Sequence, residues 1–330
     1  MLARDGSMFH NMFTLPSDDT SHNETSDQNP LVLQDEVKPL RALLWILYAL
    51  PGDIASAALD TGYNNIDRLA HCLEMANKYH FVSIETWAYS TLSSVLQTLI
   101  SKQEEDESEE GIFPIANIQR ISHICVKTSS PKSSLFTQVQ KVWSRSVLLA
   151  TTLEQIATVL IALDDFDNTF KIPRGLAYYQ ILTVWSESWR NSSFLDREQK
   201  IRLLAGYHNL SRTRSEAELR KQLSAFEHSS ECGVGRPRCI AAWDSLTQLL
   251  VLDPELRRSM FPVQPESETF DYMTKLRVVC AAAALLVQEE VEAENMRCEE
   301  MHTRCRKRAL KHTQRLLHDA EGSLMDRFEV

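Results

Sequence analysis

This 330-residue sequence predicts a mainly α-helical protein, on three observations. Nine glycines are too few for a turn-dense all-β architecture or for glycine-rich nucleotide loops. Apolar residues recur at spacings of three and four over most of the chain, the period of one helix face. A hydrophobic share of 43% beside 24% charged residues is that of a globular chain, long enough for one large or two medium domains.

Each element follows from its local pattern. Met8, Phe9, Met12 and Phe13 make an apolar opening helix with nothing before it to cover it. Residues 16–29 are a polar loop, and PLVLQ at 30–34, a short apolar run behind a proline, fits a strand. Pro39 suits the first turn of a buried helix over 40–50, which Pro51 and Gly52 end. Ile66, Leu69, Ala70, Leu73 and Ala76 mark a helix closing near His80, and Ile84, Trp87, Ala88, Leu92, Val95 and Leu96 mark the next.

The stretch 102–111 carries six acidic residues against one lysine and reads as an extended linker. It divides the chain into 1–101, a linker at 102–111, and an all-helical region over 112–330. That region has helices expected at 115–127, 135–163, 174–189, 196–210, 216–227 and 240–252, with one more turn at 256–261. A very long final helix runs from 270 to about 318, its distal half leaving the core as charge replaces apolar residues.

The order of the first hundred residues resembles the BTB/POZ fold. The matching positions are Ser7 with Phe9 and Phe13, Leu31 to Leu33, Leu43 to Tyr48, and the Leu73, Ala76, Tyr79 spacing. It is similar in particular to the single-BTB proteins expanded in mushroom-forming fungi. The resemblance covers under a third of the chain and implies a small α+β head followed by helices. BTB domains begin with two strands ahead of the helix that starts this chain, so the head is expected to be N-terminally truncated or mis-started. Loss of that strand pair would leave a sheet edge and an apolar face open.

Charge and motif content narrow the chemistry. A formal charge of -10 opposes condensation on a phosphate backbone, so nucleic acid is not an expected partner. No apolar run is long enough to span a bilayer, and an intracellular setting, cytoplasmic or nuclear, is expected with the seven scattered cysteines reduced. His71 and Glu74 are three apart on a helix but lack a third ligand. Cys298, His302 and Cys305 share a helix face yet lack a folded four-ligand pocket.

Cys232 and Cys239 flank GVGRPR and read as a reduced linker. Gly233 and Gly235 lack the following lysine of a phosphate loop, and Asp164, Asp165 and Asp167 read as a helix-ending acidic turn. Tyr178, Leu182, Trp185 and Trp189 form an aromatic stripe of core type. The basic run from Arg304 to Arg315 is first a solvated helix face, then a surface for an acidic partner, and third a nucleic-acid or import contact.

The expectation is therefore a noncatalytic protein-interaction adaptor with no catalytic residues, no cofactor and no bound metal. Its partners are other proteins, self-association through the BTB head included, and Phe9, Met12 and Phe13 are the candidate contact residues. The resemblance also admits a substrate adaptor of a cullin-type ubiquitin ligase. The remaining alternative is an enzyme or regulator with a site in the helical region; an enzyme site would need three or more of His123, Asp164, Asp165, His208 and Cys239 to converge.

Overall fold

The computed structural model describes residues 7–14, 33–105, 113–128, 133–166, 169–185, 188–211, 216–226, 232, 236–252, 272–288 and 301–329. Among them are fourteen α-helices and no strand, so the mainly α class holds. Two compact units divide the chain: Met1–Ala150 with Ile161–Phe170, and Thr151–Leu160 with Lys171–Val330. The N-terminal unit therefore reaches well past the acidic stretch expected to end it.

Unit 1 contains α1 (Met8–Thr14), α2 (Val37–Tyr48), α3 (Pro51–Leu59), α4 (Tyr63–Lys78), α5 (Val82–Glu105), α6 (Ile115–Thr128) and α7 (Ser134–Leu148). α4 is its central helix, packed by α2, α5 and α6, with Ile66, Leu69, Ala70, Leu73 and Ala76 all buried. α6 and α7 belong to this unit because their apolar faces have nowhere else to go. Ile118, Ile121 and Val139 are buried, and Trp143 Nε1 donates to Ser122 Oγ at 2.8 Å. Pro51 starts α3 instead of only ending α2: it occupies the first turn, and the Leu50 amide donates to Asp53 Oδ2 at 3.1 Å.

The α4–α5 turn is closed by the backbone, and Asn77 Nδ2 donates across it to Glu85 Oε1 at 2.9 Å. The Phe81 amide donates to Ala76 O at 2.8 Å and His80 takes φ 58°, the left-handed residue of a Schellman-type cap. The expected strand at 30–34 falls largely outside the described residues, at 30–32; Leu33 and Gln34 are irregular.

The single helix expected over 135–163 is two helices. α8 (Leu153–Asp164) starts afresh because Thr152 and Gln155 form a capping pair: the Gln155 amide donates to Thr152 Oγ1 at 3.2 Å, and Gln155 Oε1 accepts from the Thr151 and Thr152 amides. The division between the units falls inside α8.

Unit 2 adds α9 (Lys171–Val184), α10 (Arg197–Ser211), α11 (Glu216–Leu223), α12 (Arg236–Leu252), α13 (Tyr272–Gln288) and α14 (Thr303–Gly322). The expected turn at 256–261 lies outside the described residues. α13 and α14 replace the one long helix expected over 270–318, and they pack antiparallel: Arg277 Nη2 meets Glu321 Oε1 at 3.4 Å, while Arg306 Nη1 meets Leu286 O at 3.5 Å at the other end. The distal half thus returns to the core. Leu276, Val279 and Ala283 on α13 and Cys305 and Ala309 on α14 are complementary apolar faces that one straight helix could not bury against each other.

Candidate functional site

Among the described residues three places that gather polar or reactive side chains stand out, two in unit 1 and one in unit 2. The first is the junction at Tyr79. Phe9 was an expected partner contact, but it is only 3% exposed: its ring stacks on Tyr79 at 4.6 Å and lies 6.3 Å from Phe81, while the Met8 amide donates to Tyr79 O at 3.0 Å. The α4–α5 turn supplies the apolar cover that the opening helix lacks in sequence, which removes Phe9 from the surface. The side chains of Met12 and Phe13 lie outside the described residues.

Asp35 accepts from both Lys78 Nζ and the Tyr79 hydroxyl. Burial raises its carboxyl, but these two donors outweigh burial and hold it below the ordinary range. The same burial and the Asp35 carboxylate push the Tyr79 phenol up to about 12. At the rim of the junction Met8, Val37 and Val82 are 50%, 63% and 69% exposed.

The second place is a groove of about 740 Å³ between α2, α4 and α6, lined by Asp35, Glu36, His71, Glu74, Lys78, Gln119, Arg120 and Lys127 among others. Asp67, bonded to the lining residue Arg120, accepts from Lys38 and, at 2.6 Å, from Arg120 Nη1. Burial raises Asp67, yet the Lys38 hydrogen bond and the neighbouring positive charge bring it below its ordinary value. Arg120 also contacts His71 Nε2 at 2.8 Å; a guanidinium only donates, so Nε2 accepts and the ring proton sits on Nδ1, 3.7 Å from Glu74 Oε2. That contact with His71 leads the causes that lower Glu74. The His71 and Glu74 pair is thus part of a polar network with Asp67 and Arg120.

The third place is in unit 2, where the sulfurs of Cys232, Cys239 and Cys305 all lie within 4.8 Å of one another, every one of them buried. Cys232 and Cys239 are 3.2 Å apart, and the backbone amide of His302 donates to Cys239 Sγ at 3.2 Å. Hydrogen bonding with Cys239, then burial, pushes the Cys232 thiol up to about 12. The sequence grouped Cys305 with Cys298 and His302 along one helix, and Cys232 with Cys239 across one loop. Folding instead joins the loop pair to Cys305, because α12 and α14 bring their first turns together; Cys298 lies outside the described residues. The signal available in sequence was two cysteines near helix starts, which shows only once the pairing of those helices is known.

His123 packs on Phe166 at 4.5 Å, and Asp165 accepts from Gln119 at 2.5 Å, all within unit 1; His208 and Cys239 belong to unit 2. Tyr178, Leu182 and Trp189 are buried, in keeping with a core stripe. Arg304, Lys307, Arg308, Lys311 and Arg315 all lie on the exposed face of α14. A smaller cavity of about 290 Å³ in unit 2 is lined by Tyr272, Met273, Leu316, Asp319 and Arg327 among others.

Comparison of the chain with family models, with curated proteins and with solved structures finds no match in any of the three. No helix among the described residues is long and apolar enough to cross a membrane.

Proposed function

We propose that this chain is a noncatalytic protein-interaction adaptor that docks partners through unit 1. The observation that carries this reading is the Tyr79 junction. Three segments converge on it, and each leaves a large apolar side chain in solvent, Met8, Val37 and Val82, above a buried and hydrogen-bonded base. Exposed apolar side chains on segments that meet at one junction gain free energy when a partner covers them. The adjoining groove offers both signs of charge, which favours orientation of a partner over raw affinity.

The finer reading is a BTB/POZ-like head over 1–101, with α1 to α5 as its described helices. The succession of α1, α2, α3 and the α4–α5 hairpin, with Phe9 lodged under Tyr79, supports it. Phe9 then builds the docking platform, and the contact residues are its exposed neighbours.

The test is affinity capture after cross-linking in cells, comparing the wild-type chain with Met8→Asp/Val82→Asp and with Leu59→Asp. Leu59 is 82% exposed on α3 and serves as the control. Partners captured by the wild type and by Leu59→Asp should be lost from the double variant. Identical capture by all three proteins would remove this surface from the function.

A further inference from the structure

We infer that Cys232, Cys239 and Cys305 form a binding site for one thiophilic metal ion of the zinc class. Three sulfurs at zinc–sulfur distances of about 2.3 Å stand about 3.8 Å apart around a tetrahedral centre. Here all three lie within 4.8 Å of one another, and the closest pair, at 3.2 Å, needs only a small outward shift. The donor set is all sulfur, which selects zinc or monovalent copper and rejects magnesium and calcium.

Two features of the surroundings favour anionic sulfur at Cys239 and Cys305, while the burial that holds the Cys232 proton has to be offset by the metal's own charge. Cys239 lies at the start of α12 and Cys305 in the first turn of α14, so two helix N-termini point partial positive charge at the cluster. The His302 amide adds a hydrogen bond to Cys239 Sγ, the kind of outer contact that fixes a ligand's orientation. On binding, each ligating thiol gives its proton to solvent and its sulfur lone pair to the metal, with no change of oxidation state.

Plain core packing would not need sulfur to meet sulfur. Cys72 shows the alternative in the same molecule: it is buried alone, its thiol donates to Ala42 O at 3.1 Å, and burial pushes it up to about 12. The metal would tie the segment at 232 to the starts of α12 and α14, stapling the core of unit 2 at one end. This inference is independent of the adaptor reading, which rests on unit 1.

The experiment uses the full-length chain isolated under reducing conditions without chelator. Elemental analysis and native mass spectrometry should find one zinc per chain, and cobalt in its place should give the thiolate charge-transfer and visible bands of a tetrahedral site with three thiolates and water in the fourth place. Cys239→Ser and Cys305→Ser should lose both signals, and Cys72→Ser should keep them. Because a serine variant could fail to fold, thiol alkylation is mapped on the wild type. Zinc should protect Cys232, Cys239 and Cys305 together, and leave the half-buried Cys280 reacting at its unchanged rate. Absence of stoichiometric zinc or cobalt in the wild type, protection that ignores the metal, or a Cys232–Cys239 disulfide in the freshly isolated protein would overturn the site.

Discussion

In unit 1 the demanding interactions are ionic and are arranged around a single helix, whereas in unit 2 they are steric and join helices to the last described residues of the chain. α4 presents Asp67, His71 and Glu74 on one face, and α2 and α6 bring Lys38 and Arg120 to it. Unit 2 instead closes on Phe328, which is fully buried, stacks on Tyr178 at 5.2 Å and lies against Gly206 of α10. The Asn209 amide reinforces this by donating to Arg327 O at 2.8 Å. A charge network loses strength by degrees as pH or salt changes. A ring in a fitted slot is lost all at once when its volume or its slot is altered.

The largest effect that would break this contrast is at the slot. Phe328→Ala should cost about 3–5 kcal/mol, the range for deleting a buried aromatic ring. Urea denaturation gives the total, and hydrogen exchange should show α9 and α10 losing protection first. A loss below about 1 kcal/mol would mean the ring fills space that the helices can close unaided.

The slot itself is the next test. A Cβ on Gly206 would stand 2.1 Å from the Phe328 ring, and one on Gly175 would stand 2.8 Å from the Met325 amide nitrogen. Alanine inside a helix ordinarily gains about 1 kcal/mol over glycine. Gly206→Ala should nevertheless destabilise by about 1–3 kcal/mol, since the stacked ring has no room to retreat. Adding Phe328→Ala should remove that penalty and restore the helix-propensity gain. Additive losses in the double mutant would show that the contact does not carry the effect.

Sequence legibility follows the same division. The helices of unit 1 were readable because their apolar residues repeat at helical spacing, and α4 runs almost as its Ile66, Leu69, Leu73 pattern indicates. What failed was pairing. Nothing local tells that α6 and α7 return to α4 and α5 across the acidic stretch at 102–111. The break between α7 and α8 was written in the chain as Thr152 and Gln155, a capping pair hidden inside an apolar run. The separation of α13 from α14 and the meeting of three sulfurs depend on which helix faces which, and helical periodicity is silent on that. Phe9 looked exposed because its cover, Tyr79 and Phe81, is far along the chain.

The ionic side of the comparison yields a smaller, graded effect. Asp35, Asp67 and Glu74 are held below their ordinary values of 3.8, 3.8 and 4.5. A carboxyl depressed in the folded state binds its proton less readily there than in the unfolded chain. Its contribution is therefore complete above the unfolded value and is lost as pH falls through the lower folded one. Stability should decline from about pH 4.5 downward. Asp67→Asn should cost about 1–2 kcal/mol at neutral pH, discounted because Lys38 is exposed, and should flatten the acid limb. An unchanged acid limb in Asp67→Asn would show that the network adds no pH-dependent stability.

The smallest effect concerns a position where unit 1 carries backbone strain. His80 occupies the left-handed region at φ 58°, where a side chain crowds the backbone and glycine does not. It is held there because the Phe81 amide must reach Ala76 O to end α4 and start α5, and that turn also presents Tyr79 to Phe9. His80→Gly relieves the crowding but gives the unfolded chain more freedom, so the two effects oppose each other. Relief of the strained conformation, about 1 kcal/mol or more, is the larger. The expected outcome is a net gain of about 0.5 kcal/mol with the Tyr79 junction intact, read from the urea midpoint at constant slope. A loss of stability would mean that the imidazole makes a contact worth more than the strain it imposes, and would make His80 part of the docking platform in its own right.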